Sequence, residues 1–285
     1  MRCRSSPATE RRSTSWRRRG CGTTAATALF AQRTLYHMRN NGFGLAIEAA
    51  LSPIVMLFIF TFLFGGAIAG SASGYVQYLL PGILVLTVVP LTVYSGTTLC
   101  TDIAKGVYDR FRTMPFWQPA AVFGSIAADG LRYAAALLVV LAAGLALGFR
   151  PDGGVAGAAL AALYVLFFAY SASWVFALIG NAAKRPETVS GTSMMIVYPL
   201  LFASNVLVDT STMPRWLRAA IELNPISVAV NLTRGLLHGT ADAADVAAGI
   251  GVGLPLIAVF APWTVYVYRK DNCGRGARFL YFCSL

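Results

Sequence analysis

Charge is scarce in this chain, and where it gathers it is patterned. The stretch "TDIAKGVYDRFRTMPFWQPA" (residues 101–120) holds five charged residues within twelve positions, whereas the run from Ala49 to Thr101 holds none. Drawn on a helix, Ile103, Val107, Phe111 and Met114 share one face at spacings of four, four and three. Lys105, Asp109 and Arg112 share another, with Arg110 between them, and Pro115 and Pro119 end the pattern. Acidic and basic residues together on the polar face suit a protein partner; a helix resting in anionic headgroups favours lysine and arginine alone. A second charged pair, Asp129 and Arg132, lies three residues apart and therefore on one helical face. It reads as an ion pair that lowers the cost of burial or as part of a translocation path.

Catalytic chemistry is not written in the sequence. The three lysines, Lys105, Lys184 and Lys270, follow Ala, Ala and Arg, so no Gly-Lys-Ser/Thr phosphate cradle can form. Two histidines, His37 and His238, leave no HExxH zinc helix, and "GSASG" at 70–74 has alanine where a serine elbow needs its nucleophile. The five cysteines (3, 21, 100, 273 and 283) show no paired spacing and read as free thiols. No catalytic, cofactor or metal residue is expected in this chain. Proton- or sodium-driven transport needs ionisable groups near the bilayer midplane, and Glu48, Asp129 and Arg132 fall toward helix ends instead. Energy for any uphill transport must come from another polypeptide.

The elements that hold these residues are membrane helices. Of 285 residues 56% are hydrophobic and 12% charged, with a mean hydropathy of +0.62, about half the charge of a soluble domain. The uncharged runs are 49–101, 133–149, 153–183, 188–208 and 246–268. The first is long enough for two spans of roughly 20 residues each, divided at "GSASGYVQY" (70–78). Six helices are expected, near 47–68, 79–101, 122–148, 155–179, 188–208 and 246–268. Arginine and lysine are retained on the cytoplasmic side, and with both termini inside, 18 of the 23 basic residues fall there. The excess charge of +11 thus reads as topology and lipid contact, not nucleic-acid binding. Residues 1–26 are expected to be a basic disordered segment without a secretory signal, 27–270 the membrane domain and 271–285 a cytoplasmic tail.

The words "FLFGGAIAG", "YVQYLLPGILV", "TDIAKGVYDRFRTMPFW" and "VDTSTMPRWLRAAIELNPISVAVNLTRGLL" resemble the permease subunits of ABC-2 type exporters, in particular the daunorubicin/doxorubicin-resistance permease family. The resemblance spans about residues 27–270. It implies an all-α polytopic membrane protein of the plasma membrane that works as a homodimer with a separate ATP-binding subunit. ATP and magnesium would be bound by that partner, and the cargo would be a hydrophobic small molecule. Residues 102–116 would be a coupling helix, with Ile103, Val107, Asp109, Arg110, Phe111, Arg112 and Met114 seated in the ATPase. Export of a lipid-linked glycan or peptide is the near alternative; a channel or scaffold working without ATP is a different class.

Between the last two expected spans lie about 36 residues on the outer side. Thr212 is placed to cap a helix with Pro214 in its first turn, and Trp216, Leu217, Ala220 and Ile221 make an apolar stripe. Asn224-Pro225 breaks it, and a second amphipathic stretch runs from Ile226 to Leu237. Both pieces are too short to span. The expectation is a re-entrant or interfacial helical hairpin capping the pathway, the alternative a helix resting on the outer leaflet. Tyr75, Tyr78, Tyr94, Phe168, Tyr170 and Trp174 are candidates to stack on aromatic cargo, although aromatics also form interfacial belts.

Overall fold

A computed structural model describes residues 51–63, 72–105, 120–183, 185–206, 221 and 223–282. Among these residues there is no strand; the architecture is all helical. The helices are α1 (Leu51–Leu63), α2 (Ala72–Ala104), α3 (Ala120–Ala146), α4 (Gly154–Ala182), α5 (Pro186–Phe202), α6 (Pro225–His238) and α7 (Ala243–Phe282). Helices therefore occupy all six places where the charge-free runs predict spans. Four of them, within α2, α3, α4 and α7, are long and apolar enough to cross a membrane.

Two boundaries differ from the sequence expectation. The division at 70–78 falls too late, because α2 is already helical at Ala72. Gly74 and Ser73 are weak helix formers, yet Tyr75, Val76, Leu79 and Leu80 are all buried in the core, and tertiary packing outweighs local propensity. At the other end α7 does not stop with its apolar run but continues through Phe282.

α4 lies at the centre, packed against α2, α3, α5, α6 and α7, and α2 is its most extensive partner. The most apolar stretch of α2 is 78% buried within the protein, that of α7 only 11%. α2 is thus a core helix, while α7 offers most of its surface to lipid. The α2–α4 crossing depends on glycine. A Cβ on Gly96 would strike the carbonyl oxygen of Phe176, and one on Gly180 would strike that of Gly96. Small residues let membrane helices approach backbone to backbone, where dispersion contacts replace the hydrophobic drive that lipid removes.

Candidate functional site

At the α2–α3–α4 junction the buried polar groups form a linked cluster. Ser173 Oγ donates to the Ala169 carbonyl at 2.8 Å, so it accepts from Tyr133 OH at 2.9 Å. On the other side of Tyr133, Ser95 Oγ lies 2.5 Å away and also reaches the Asp129 carboxylate, two acceptors for its one proton. The hydroxyls thus join α2, α3 and α4, and Tyr133, Ser95 and Ser173 are all buried. One turn before Tyr133 on α3, Arg132 Nη2 donates to Asp129 Oδ1 within a buried ion pair. The structure brings together the two charges that their spacing placed on one face. Each lone charge would cost several kcal/mol in apolar surroundings; joined, they bury as a neutral unit.

The element expected on the outer side is built from α6 and its neighbours. Asn224 caps α6: its side-chain oxygen accepts from Ile226 N at 3.0 Å, and Pro225 occupies the first helical position, where no N–H is needed. The same amide donates to the carbonyls of Leu200 and Ala203 at 2.7 and 2.8 Å, two acceptors that the end of α5 leaves open. One side chain thus closes two helices. Gly239, at φ 70°, ends α6 in the left-handed conformation. Asn224 and Pro225 start α6; the segment they are expected to divide from it, 207–220, lies outside the described residues. Pro214, Trp216, Glu48, Val107, Asp109, Arg110, Phe111, Arg112 and Met114 lie outside the described residues. Ile103 sits near the end of α2, packed against a small cluster of Leu99, Ile126, Trp174 and Ala177.

Two contacts of α6 leave no trace in the sequence. The Arg234 guanidinium lies over the Tyr78 ring, 4.0 Å from its centroid, and Nη2 reaches the carbonyls of Tyr78 and Asn205 at 3.5 Å. One turn further on, His238 Nδ1 faces Asp152 Oδ2 at 3.1 Å and Nε2 faces the Gln77 carbonyl at 3.3 Å. α6 is therefore pinned to the Ala72 end of α2 and to the α3–α4 turn.

Of the aromatic residues considered for cargo, Tyr75, Phe168 and Trp174 are buried in the core and Tyr78 lies under Arg234, whereas Tyr94 is half exposed. Tyr94 begins an open seam on α2 that continues through Thr98 to Lys105, flanked by half-buried Thr97, Thr101 and Asp102. The Thr97 and Thr101 hydroxyls fold back onto carbonyls of their own helix at 2.9 and 2.8 Å, so the seam is polar without leaving donors unmet. On α5, packed beside α2, only Val189, Ser193 and Val197 are buried. Thr188, Thr192, Met195, Tyr198 and Phe202 are exposed. Among the described residues no group of histidine, cysteine or carboxylates has metal-binding geometry.

Long apolar helices, glycine-mediated crossings and a neutralised buried ion pair define a polytopic membrane protein. A family model described as "ABC-2 type transporter" matches residues 25–238, and the chain belongs to that family. A curated protein, "Daunorubicin resistance ABC transporter permease protein DrrB1" of Streptomyces coeruleorubidus, is 51% identical over 226 residues, covering 79% of this chain and 80% of the relative.

Proposed function

We propose that this chain is the permease subunit of an exporter that moves a hydrophobic, drug-like natural product out of the cell. A separate subunit would bind and hydrolyse ATP with magnesium. The observation that carries this reading is the 51% identity, over four-fifths of both chains, to a daunorubicin-resistance permease. The half-open α2 and α5 faces support it, because Tyr94, Tyr198, Met195 and Phe202 beside threonine hydroxyls suit an aromatic, partly polar cargo. Two copies pair in the membrane, each with six spans. Those built on α1 and α5 would be completed by residues 47–68 and 188–208. Both termini, residues 102–118 and the 184–185 turn are cytoplasmic; α6 and the segment with Pro214 and Trp216 cap the outer side.

The 102–116 segment receives the motion of the ATPase. Phe111→Ala removes an apolar anchor worth about 2 kcal/mol or more at an interface, and Asp109→Lys sets the wrong charge against the partner. Both variants are expected to insert normally and to lose ATPase co-purification. Wild-type co-purification in both would sink the coupling role. Vesicles holding this chain and the ATPase should accumulate a fluorescent anthracycline on addition of ATP. ATP hydrolysis without accumulation would favour the lipid-linked glycan or peptide alternative. Orientation is read by an impermeant thiol reagent on single cysteines at 184 and 211 in a cysteine-free background. Labelling of 184 but not 211 in intact cells would invert the topology.

A further inference from the structure

His238 stands in a site made for two N–H donors. Its Nδ1 faces the Asp152 carboxylate at 3.1 Å and its Nε2 faces the Gln77 carbonyl at 3.3 Å, so both ring nitrogens meet acceptors. The second acceptor exists because of a proline. In a continuous helix the N–H of residue 81 would bond to the carbonyl of residue 77, and Pro81 within α2 has no N–H to give. The Gln77 carbonyl is left open on the side where α6 ends, and the imidazole occupies it. Gln77 is fixed from its other end, because its side-chain amide, in the orientation that satisfies it, pairs with Arg150 N and O at 2.9 and 3.1 Å. Gly153 N donates to the Leu237 carbonyl at 3.0 Å, holding the α3–α4 turn against α6. The Phe149 ring meets the imidazole edge at 6.3 Å between centroids.

A neutral imidazole carries a single N–H, so one of the two acceptors then faces a lone pair; the imidazolium donates to both. We infer that His238 is a proton-sensitive clasp, closing the end of α6 onto α2 and the α3–α4 turn when protonated and loosening it when neutral. The charged groups on the elements around it divide as follows. Asp152 is in contact and favours the protonated ring. Arg234, one turn back on α6, opposes it, but its guanidinium is turned onto the Tyr78 ring and two carbonyls. Arg150 in the turn is engaged through its backbone. α7 contributes Asp242 and Asp245 at its start, where Asp242 N bonds Asp245 Oδ2 at 3.4 Å. α4 and α2 bring Tyr164, Tyr75 and Tyr78. Asp209, Arg215 and Arg218 lie outside the described residues. The sign follows: the clasp's stabilisation is present when the ring is protonated and is lost as pH rises. With the proposed orientation the clasp faces the exterior and senses external pH, and in that respect alone it rests on that reading.

The test uses the full chain in nanodiscs, without cargo or ATPase, so its outcome is independent of the export reading. Between pH 8 and pH 5.5 the unfolding midpoint of the wild type should rise relative to His238→Gln by about 2 °C. Asp152→Asn should lose part of that difference. Pro81→Ala, which returns a helical donor to the Gln77 carbonyl, should lose part of it too. If His238→Gln does not fold, 15N-histidine labelling in a His37→Gln background leaves one imidazole to follow. Its 15N shifts at pH 5.5 should show both ring nitrogens donating, and Asp152→Asn and Pro81→Ala should each change the shift of the nitrogen that loses its acceptor. Parallel wild-type and His238→Gln profiles, or imidazole 15N shifts unmoved by both substitutions, would overturn the clasp.

Discussion

The two halves of α2 are held by opposite means. Toward Ala104 the helix is fastened by backbone contact at Gly96 and Gly180 and by a closed relay of buried hydroxyls. Toward Ala72 the core closes on Tyr75, Val76, Leu79 and Leu80, and at the rim side chains of α6 are added that reach for carbonyls, with a cation over a ring and a histidine beside an exposed carboxylate. Close packing has no partly made state: separating it creates a void or orphans a polar group at once. Carbonyl-directed contacts at the rim can be exchanged for water one at a time. The close-packed length of α2 suits a part that moves as a body, the rim contacts a part that opens.

The comparison breaks most severely at the glycine crossing. Gly180→Val sets a branched side chain against the Gly96 carbonyl and should abolish folded protein, read as loss of the monodisperse species after detergent extraction. Recovery of a folded wild-type yield would mean that the crossing is loose. The buried ion pair comes next. Arg132→Met leaves the Asp129 carboxylate alone in an apolar site, a change that costs about 3–5 kcal/mol when one partner of such a pair is removed. The double substitution Asp129→Leu/Arg132→Met should regain most of that stability. If the rescued protein inserts and folds yet cannot export, the pair belongs to the path as well as to the packing. If it exports normally, the pair is structural.

At the rim, Asn224→Ala removes the α6 cap and both bonds to the end of α5, for a loss of about 0.5–2 kcal/mol. Limited proteolysis between α5 and α6 should accelerate while the α2–α4 contact, read by a disulfide across it, persists. The smallest effect is expected for Tyr133→Phe, about 1 kcal/mol for a neutral hydrogen-bonded relay. A much larger loss there would show that the relay, and not the glycine contact, holds the inner half together.

Charge-free runs located the long apolar helices but not the start of α2 or the end of α7, because lipid tolerates few charges and a span has a minimum length. The Asp129–Arg132 pair was legible for a similar reason: both residues sit on one turn, and a local spacing fixes their meeting. Asn224-Pro225 was legible as a break, but not as a joint with α5, whose carbonyls lie over twenty residues earlier. Arg234 and His238 looked like ordinary outer-side residues, since their partners Tyr78 and Gln77 lie about 160 residues away in sequence and leave no periodic trace. Gly96 and Gly180 were hidden for the same cause. The one local hint was Pro81, which announces an open carbonyl at residue 77 without saying what fills it.

The position of the glycine contact along α2 sets a mechanical ratio. The helix runs 33 residues, from Ala72 to Ala104, and Gly96 lies eight residues from one end and twenty-four from the other. At 1.5 Å per residue the arms are about 12 Å and about 36 Å. Were the backbone contact a fulcrum and α2, with Pro81 and Pro90 in its long arm, to move as one rod, a displacement of about 1 Å at the short arm, next to the proposed coupling segment, would become about 3 Å at the long arm. The long arm ends where Arg234 and His238 grip, so a small stroke at the ATPase side would arrive there large enough to part contacts of hydrogen-bond length.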